Sequence, residues 1–339
     1  MRDYFIRRLL LIPPTLFGIT LIVFFITRFV PGGPMEQAIA NATAVAMQSG
    51  SGGGAGQEMA LSEDQLNQLK EYYGFDKPWY IAYVAWLGNV LTGDFGRSYI
   101  YHEPVVDVIS QRLPISMYYG LVTLVLTYAI CIPLGVFKAV RHNSIMDNLT
   151  SVLVFIGYAI PGYVLGAILV VFLAARLEWF PVGGFVSFDF DDLSFWGKAL
   201  DLLHHSALPL VCYLIGSFAF VTFLMKNHLM DNLAADYVRT AIAKGITFKD
   251  AVRKHALRNS LIPIATNLGH QVSFLIMGSF LIEKIFDIDG FGLLGFTSVL
   301  NRDYPVVMGV LFLGAILMLL GNILSDILVA MVDPRVRFK

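Results

Sequence analysis

The sequence predicts an all-α integral membrane protein with six helices crossing the bilayer and a folded segment between the first two. Three observations carry this expectation. Apolar residues make up 56% of the 339 positions and charged residues only 14%, against about 25% charged in an ordinary soluble domain. The apolar residues are gathered into six long runs. Lysine and arginine are distributed unevenly among the segments between those runs.

A helix needs about 20 residues to cross the hydrocarbon core. Runs of that kind lie at 9–30, 114–137, 149–175, 207–225, 261–282 and 306–329. The first is too long for a secretory signal, and no small-residue cleavage site follows it. The segments on the same side as the N-terminus carry fifteen Lys and Arg residues, and the alternate, longer segments carry eight. The positive-inside rule therefore places both termini in the cytoplasm. Trp179 and Phe180 follow the third run, where an interfacial aromatic belt is expected. A formal net charge of −1 gives no basic field for nucleic acid. Cys131 and Cys212 both sit inside apolar runs and read as small buried hydrophobes, not as a disulfide framework or metal cluster.

The segment 31–113 is too long for a simple connector. Pro31-Gly32-Gly33-Pro34 ends the first run, and the Gly/Ser stretch 49–56 reads as a flexible linker. Ser62 with Gln65 forms a capping box, followed by Leu66, Leu69 and Tyr73 on one face and Gly74 as a stop. A second amphipathic stretch runs over 79–91, and together these predict a small external cap. In 176–206, Asp189, Asp191 and Asp192 read as a solvated acidic loop more readily than as a metal site.

The largest inside loop, 226–260, is basic and amphipathic. It predicts two short helices, 236–244 and 249–257, joined at Gly245-Ile246-Thr247. Gly245 would cap the first and Thr247 would open the second. The local pattern fits a docking element and equally a surface helix resting on anionic lipid.

No phosphate-binding loop is present, nor His-Glu-x-x-His, Gly-x-Ser-x-Gly or Cys-x-x-Cys, so the sequence offers neither a nucleotide site of that type nor a catalytic centre. Ionisable residues inside the runs are few: Arg28, His270 and Asp326. Ion-coupled transporters place charged or polar ion sites near the midplane, so transport energy is expected from elsewhere. An ion-coupled secondary transporter, or a membrane scaffold that recruits a soluble partner, is the alternative. Asn267, His270 and Gln271 form a polar patch that reads as interhelical hydrogen bonding or as part of a pathway wall. Ile132-Pro133-Leu134-Gly135 and Tyr158-Ala159-Ile160-Pro161-Gly162 are expected to interrupt the second and third spans.

At the inside loop the sequence resembles a known family. Asp236-Tyr237-Val238-Arg239-Thr240-Ala241-Ile242-Ala243-Lys244-Gly245, then His255-Ala256-Leu257-Arg258-Asn259, is similar to the cytoplasmic signature of binding-protein-dependent ABC importer permeases. That signature reads Glu-Ala-Ala, three residues, Gly, nine residues, Ile-x-Leu-Pro. Here Gly245 and Leu257 match, while Arg239-Thr240 and the positions of His255 and Arg258 depart in the manner of the peptide-importer branch. Gly93-Asp94-Phe95-Gly96-Arg97-Ser98, Arg112-Leu113-Pro114, Asp289-Gly290-Phe291-Gly292, Arg302-Asp303-Tyr304-Pro305 and Asp333-Pro334-Arg335 resemble the same dipeptide/oligopeptide branch. A narrower likeness, in Tyr73-Gly74-Phe75-Asp76-Lys77-Pro78 and Lys226-Asn227, is to B-type permeases of microcin C and peptide importers.

The resemblance implies a type I ABC importer fold. Its parts would be a cytoplasmic N-terminus with helix 1 (1–30), a periplasmic region (31–113), a permease core (114–332) and a cytoplasmic tail (333–339). It implies a permease of a bacterial inner membrane that moves peptides inward. Expected partners are a homologous second permease in a heterodimer, one or two ABC ATPase subunits and a periplasmic peptide-binding protein. ATP and Mg would bind those ATPases and no cofactor would bind this chain. Asp236, Tyr237, Arg239, Thr240, Ala241, Lys244, Gly245, Leu257 and Arg258 would form the ATPase-docking coupling helix and its base, with Arg239 and Lys244 making ionic contacts and Tyr237 and Ala241 packing. Tyr158, Asn267 and Gln271 are the candidate pathway residues.

Overall fold

The structure, a computed structural model, describes residues 2–29, 76–276 and 278–332. The Gly/Ser linker, the helix expected after Ser62 and the tail lie outside the described residues. Those described are largely helical, and the one β-bridge among them pairs Arg97 with Pro104. In chain order the helices are α1 (Arg2–Phe29), α2 (Trp79–Leu91), α3 (Val105–Val140), α4 (Ile145–Ala159) and α5 (Gly162–Leu169, continuing as a π-helix over Val170–Arg176). Then come α6 (Phe195–Ala234), α7 (Asp236–Ala243), α8 (Phe248–Ala251, continuing as a π-helix over Val252–Ala256) and α9 (Leu257–Ile276). The chain closes with α10 (Phe280–Ile285), α11 (Phe291–Leu300) and α12 (Tyr304–Val332).

Among the described residues, four helices are long and apolar enough to cross a membrane: α1, α3, α6 and α12. The pair α4–α5, bent by 89°, makes a fifth if counted as one span. The run expected at 261–282 is not one helix. α9 ends at Ile276, Gly278 takes φ +75°, and α10 starts at Phe280. α9 also carries Arg258, Asn259, Asn267 and Gln271, which interrupt its apolar surface.

The proline motifs behave differently from one another. Pro133 lies inside an unbroken 36-residue α3, contrary to the interruption expected there. Its neighbour Gly135 is pressed on α6: a Cβ there would lie 2.7 Å from Met225 Cβ and 2.8 Å from the Thr222 carbonyl oxygen. Close packing of this kind holds a membrane helix together across a missing N–H. At Pro161 the break does occur. Ile160 is extended, as a residue before proline prefers to be. Gly162 rests on the Cys212 carbonyl, where a Cβ would come within 2.5 Å.

The chain divides into two compact units. In the smaller (12–111 and 295–315), α2 packs on α1 through aromatic rings. Phe17 and Phe24 stand edge-on to Tyr83, and the Tyr83 hydroxyl bonds Thr20 Oγ1 at 2.9 Å. Asp303, fully buried, accepts from Ser98 Oγ and from the backbone N–H of Tyr99 (3.1 Å) and Ile100 (3.3 Å).

In the larger unit (1–11, 112–294 and 316–339), α6 is the central helix. Val221, Met225 and Leu229 pack with Cys131 and Tyr128 of α3, Val238 of α7, Ala251 and Ala256 beyond it, and Ile264 of α9. Arg8 of α1 pairs with Asp326 of α12 and donates to the Asn322 carbonyl at 2.8 Å. Two buried carboxylates fix the unit at different points. Glu283 accepts from Ser116 Oγ at 2.8 Å and Leu293 N–H at 2.6 Å, while Ser116 Oγ accepts from Phe291 N–H at 2.8 Å. Beside them, Arg112 Nε donates to Asp289 at 2.8 Å. Asp147, in the first turn of α4, lies 3.0 Å from Lys138 Nζ of α3 and 2.8 Å from Lys226 Nζ of α6. The side chains of Lys138, Asp147 and Lys226 are 0%, 1% and 10% exposed.

Gly135→Leu should lower the thermal unfolding midpoint in detergent, with overpacking against α6 costing about 1–3 kcal/mol. Gly88→Ala on α2, where no atom lies within 4 Å of the added Cβ, should leave the midpoint unchanged.

Candidate functional site

The inside loop is built from three local devices. α6 runs without a break to Ala234, and Ala235 turns the chain with extended φ/ψ (−72°, 147°) before α7 begins at Asp236. α7 ends in a Schellman motif: Gly245 N–H donates to the Ile242 carbonyl at 2.9 Å and Ile246 N–H to that of Ala241 at 3.3 Å. Gly245 sits at φ +94°, which glycine adopts without the clash of a Cβ. Thr247 then opens α8, its Oγ1 accepting from Asp250 N–H at 3.2 Å and donating to Asp250 Oδ2 at 2.9 Å. The turn at Gly245-Ile246-Thr247 is the one its residues predict. The second helix does not stop at 257 but passes through a π-turn into α9.

Tertiary contacts then orient α7. Val238 and Ala241 face inward and are buried. Val238 joins the core with Met225, Leu229, Ala251 and Ala256, and Leu257 packs against that core half-buried. Ala241 is thus turned into its own chain, which corrects the expectation that it packs on a partner. Tyr237 divides its roles. Its hydroxyl donates to Asn232 Oδ1 at 2.6 Å and accepts from Asn259 Nδ2 at 3.1 Å, bracing the end of α6 against the start of α9, while the residue is 41% exposed. Asp236, Arg239, Thr240, Lys244, Gly245 and Arg258 are exposed.

Two exposed apolar residues, Ile242 and Phe248, belong to the same outward surface and were not singled out from the sequence. Their signal was available only in part: both are large apolar side chains in a basic loop, but Ile242 is four residues from the buried Val238 and so flanks the inward face. The surface combines Arg239 and Lys244 with Tyr237, Ile242 and Phe248, drawn from α7, its C-terminal turn and the start of α8, and α7 is held from beneath by Val238 and Ala241. It is suited to entering a cleft, and it carries no catalytic constellation.

The candidate pathway residues are not brought into one cluster. Tyr158 is exposed in the last turn of α4 beside the Pro161 bend. Asn267 Oδ1 accepts from Tyr128 Oη of α3 at 3.1 Å. Gln271 Oε1 is buried, with no hydrogen-bond partner among the described residues. No hydrogen bond among the described residues joins Tyr158 to either amide.

Residues 131–338 match the family described as binding-protein-dependent transport system inner membrane component. The peptidoglycan transport system permease protein YejB of Agrobacterium fabrum is 39% identical, the alignment covering 100% of this chain and 99% of that protein. The oligopeptide transport system permease protein AppB of Bacillus subtilis is 36% identical over 100% of both chains. The dipeptide transport system permease protein DppB of Lactococcus lactis is 34% identical over 99% of this chain and 100% of that protein. A chain of the MetNI methionine ABC transporter, solved in inward-facing conformations, has the same fold with a TM-score of 0.51. It is 19% identical, and the match covers 67% of this chain and 96% of that one.

Tyr237→Phe keeps the ring and removes both hydroxyl bonds, at about 1 kcal/mol each. Amide exchange across 236–245 should accelerate at least fivefold while α6 is unaffected. Unchanged exchange would show that Val238 and Ala241 suffice to hold α7.

Proposed function

The chain belongs to the family of binding-protein-dependent transport system inner membrane components, and from that premise we propose that it is the permease through which an ATP-driven importer carries peptides from the periplasm to the cytoplasm. One observation carries the peptide reading: relatives named as peptidoglycan, oligopeptide and dipeptide permeases align over essentially all of this chain at 34–39% identity. Permease subunits of this family are not themselves catalytic, and ATP hydrolysis belongs to partner subunits. ATP and Mg are then bound by those partners and not by this chain.

In this reading α7 is the coupling helix and enters a cleft of the ATPase. Arg239 and Lys244 supply ionic contacts there, with Arg258 at the base. The Tyr237 ring, Ile242 and Phe248 supply apolar contact. Thr240 lies on the same face, and Asp236 starts the helix. Ala241 and Leu257 act from within, fixing α7 to the core, and Gly245 sets the turn that presents it. An arginine desolvated at a contact of this kind is a typical energetic anchor. The excess of basic residues in the N-terminal segment and this loop supports cytoplasmic termini. A second, homologous permease completes the pathway as a heterodimer, and a periplasmic binding protein selects the cargo. Gln271, with a buried oxygen free to accept a hydrogen bond, is the favoured pathway residue, with Asn267 beside it on α9 and Tyr158 at the bend.

Mass spectrometry of what co-purifies with the tagged chain from native membranes tests the assembly. Recovery of a homologous permease and an ATPase is the expected outcome, and a chain recovered alone after gentle crosslinking would overturn it. Gly245→Val forces a β-branched residue to φ +94°, at about 1–2 kcal/mol. Peptide uptake should fall at least tenfold while the amount inserted in the membrane is unchanged. Arg239→Glu should weaken recovery of the ATPase without altering that of the second permease.

A further inference from the structure

We propose that Asp147 is a positioning residue of the transport cycle, a joint through which movement of the docking loop reaches the bent pair α4–α5. The proposal rests on the reading of α7 as the ATPase contact and adds the path by which force leaves it.

The two lysines that meet at Asp147 are not equivalent. Lys138 is saturated by the first turn and a half of α4. Its ammonium is ion-paired to Asp147 Oδ1 at 3.0 Å, and its three donors go to the Asp147 carbonyl at 2.8 Å, Thr150 Oγ1 at 2.9 Å and Ser151 Oγ at 2.7 Å. Only a four-residue turn, 141–144, separates α3 from α4, and Ser144 caps α4 by accepting from Asp147 N–H at 3.2 Å. Asn143 N–H donates to Asp147 Oδ2 at 3.1 Å, and the His142 ring stands 3.4 Å from the same oxygen. The α3–α4 corner is therefore one stiff piece with the carboxylate fixed in it.

Lys226 reaches that corner from another helix. Its Nζ donates to both carboxylate oxygens of Asp147, each at 2.8 Å. The proline of α6, Pro209, is well before it. Lys226 and Ala235 are joined by uninterrupted helix spanning about 13 Å at 1.5 Å per residue, and α7 follows at once. A displacement of α7 thus reaches Lys226 through a rigid rod. From Asp147 it passes along α4 to the Pro161 bend.

The chemistry suits a joint rather than a weld. An ammonium on a flexible four-carbon stem pivots on two equivalent oxygens without losing its partner. Phe155 stacked on Phe223 at 4.7 Å lines the same helix pair with apolar surface that permits sliding. Most of the outward face of α4 is exposed, including Ile145, Leu149, Val152 and Ile156, so its contacts within the chain are concentrated on α6, the helix that would carry it along.

The test uses the complete importer, with both permeases, ATPases and binding protein, in proteoliposomes, reading peptide taken up per ATP hydrolysed. Lys226→Gln should lower that ratio at least fivefold with the amount of assembled complex within twofold. Lys226→Arg, which re-forms the pair, should restore it to within twofold. Because Lys226→Gln leaves a buried carboxylate with less compensation, the double variant Asp147→Asn with Lys226→Met is measured beside it. That variant removes the carboxylate and the second ammonium together and leaves the buried Lys138 on the neutral oxygens of Thr150, Ser151 and the main chain, so its ratio is read per assembled complex and should also fall at least fivefold. An unchanged ratio in the double variant, or uptake and hydrolysis falling together in proportion to assembled complex, would reduce Asp147 to a structural pin. A wild-type complex that hydrolyses ATP but moves no peptide would instead overturn the peptide reading, and this proposal with it. A loss confined to the Lys226 and Asp147 variants concerns the joint alone.

Discussion

Asp147 lies between Lys138 and Lys226 with almost no solvent, and the convergence of α3, α4 and α6 follows from that. A buried charge is tolerated only when paired and hydrogen-bonded. Apolar contact cannot set the relation of these helices so firmly, because lipid tails are as apolar as leucine and offer any helix an equivalent partner. A carboxylate has no such alternative. Once Asp147 is fixed at the start of α4, both lysines must reach it, and the register of α3 against α6 is set. The close approach at Gly135 then seats Met225 and Thr222 against α3.

The same constraint operates elsewhere in each unit, on segments far apart in the sequence. The segments are halves of polar contacts made across long sequence distances. In the smaller unit, Ser98 of the Gly93–Ser98 segment meets Asp303 of the Arg302–Pro305 segment. In the larger unit, Arg112 meets Asp289, and Ser116 joins Glu283 to the start of α11. Each half is unremarkable alone, since an isolated Arg-Asp or Gly-Asp pair occurs in any loop. Asp303 and Glu283 are buried and would be stranded without their donors, whereas Asp289 is exposed and serves the buried Arg112.

The loop that carries α7 and α8 obeys a different logic. Its backbone is organised by local capping at Gly245 and Thr247, and its attitude by two small inward residues, Val238 and Ala241, with Tyr237 bracing the base. Rigidity beneath and exposed charge above is the arrangement expected of a surface that transmits force to a partner. A loosely held helix would absorb the partner's movement within the loop and pass little of it to α6.

The sequence by itself determined the class of fold, most of the crossing helices, α2 from Trp79 to Leu91 and the Gly245–Thr247 turn. Each depends on composition or on residues within a few positions of one another, where cap chemistry and the length of an apolar run are decisive. Tertiary structure alone decided the rest. It made Pro161 a bend and left Pro133 inside a helix, because the outcome depends on which neighbour packs against the adjoining glycine. It turned Ala241 inward and brought Ile242 and Phe248 out. It divided the expected 261–282 span at Gly278. It also gave Lys138 and Lys226 a shared carboxylate on a third helix. Spacing along a chain fixes which residues share a helix face. Only packing fixes which helix lies opposite.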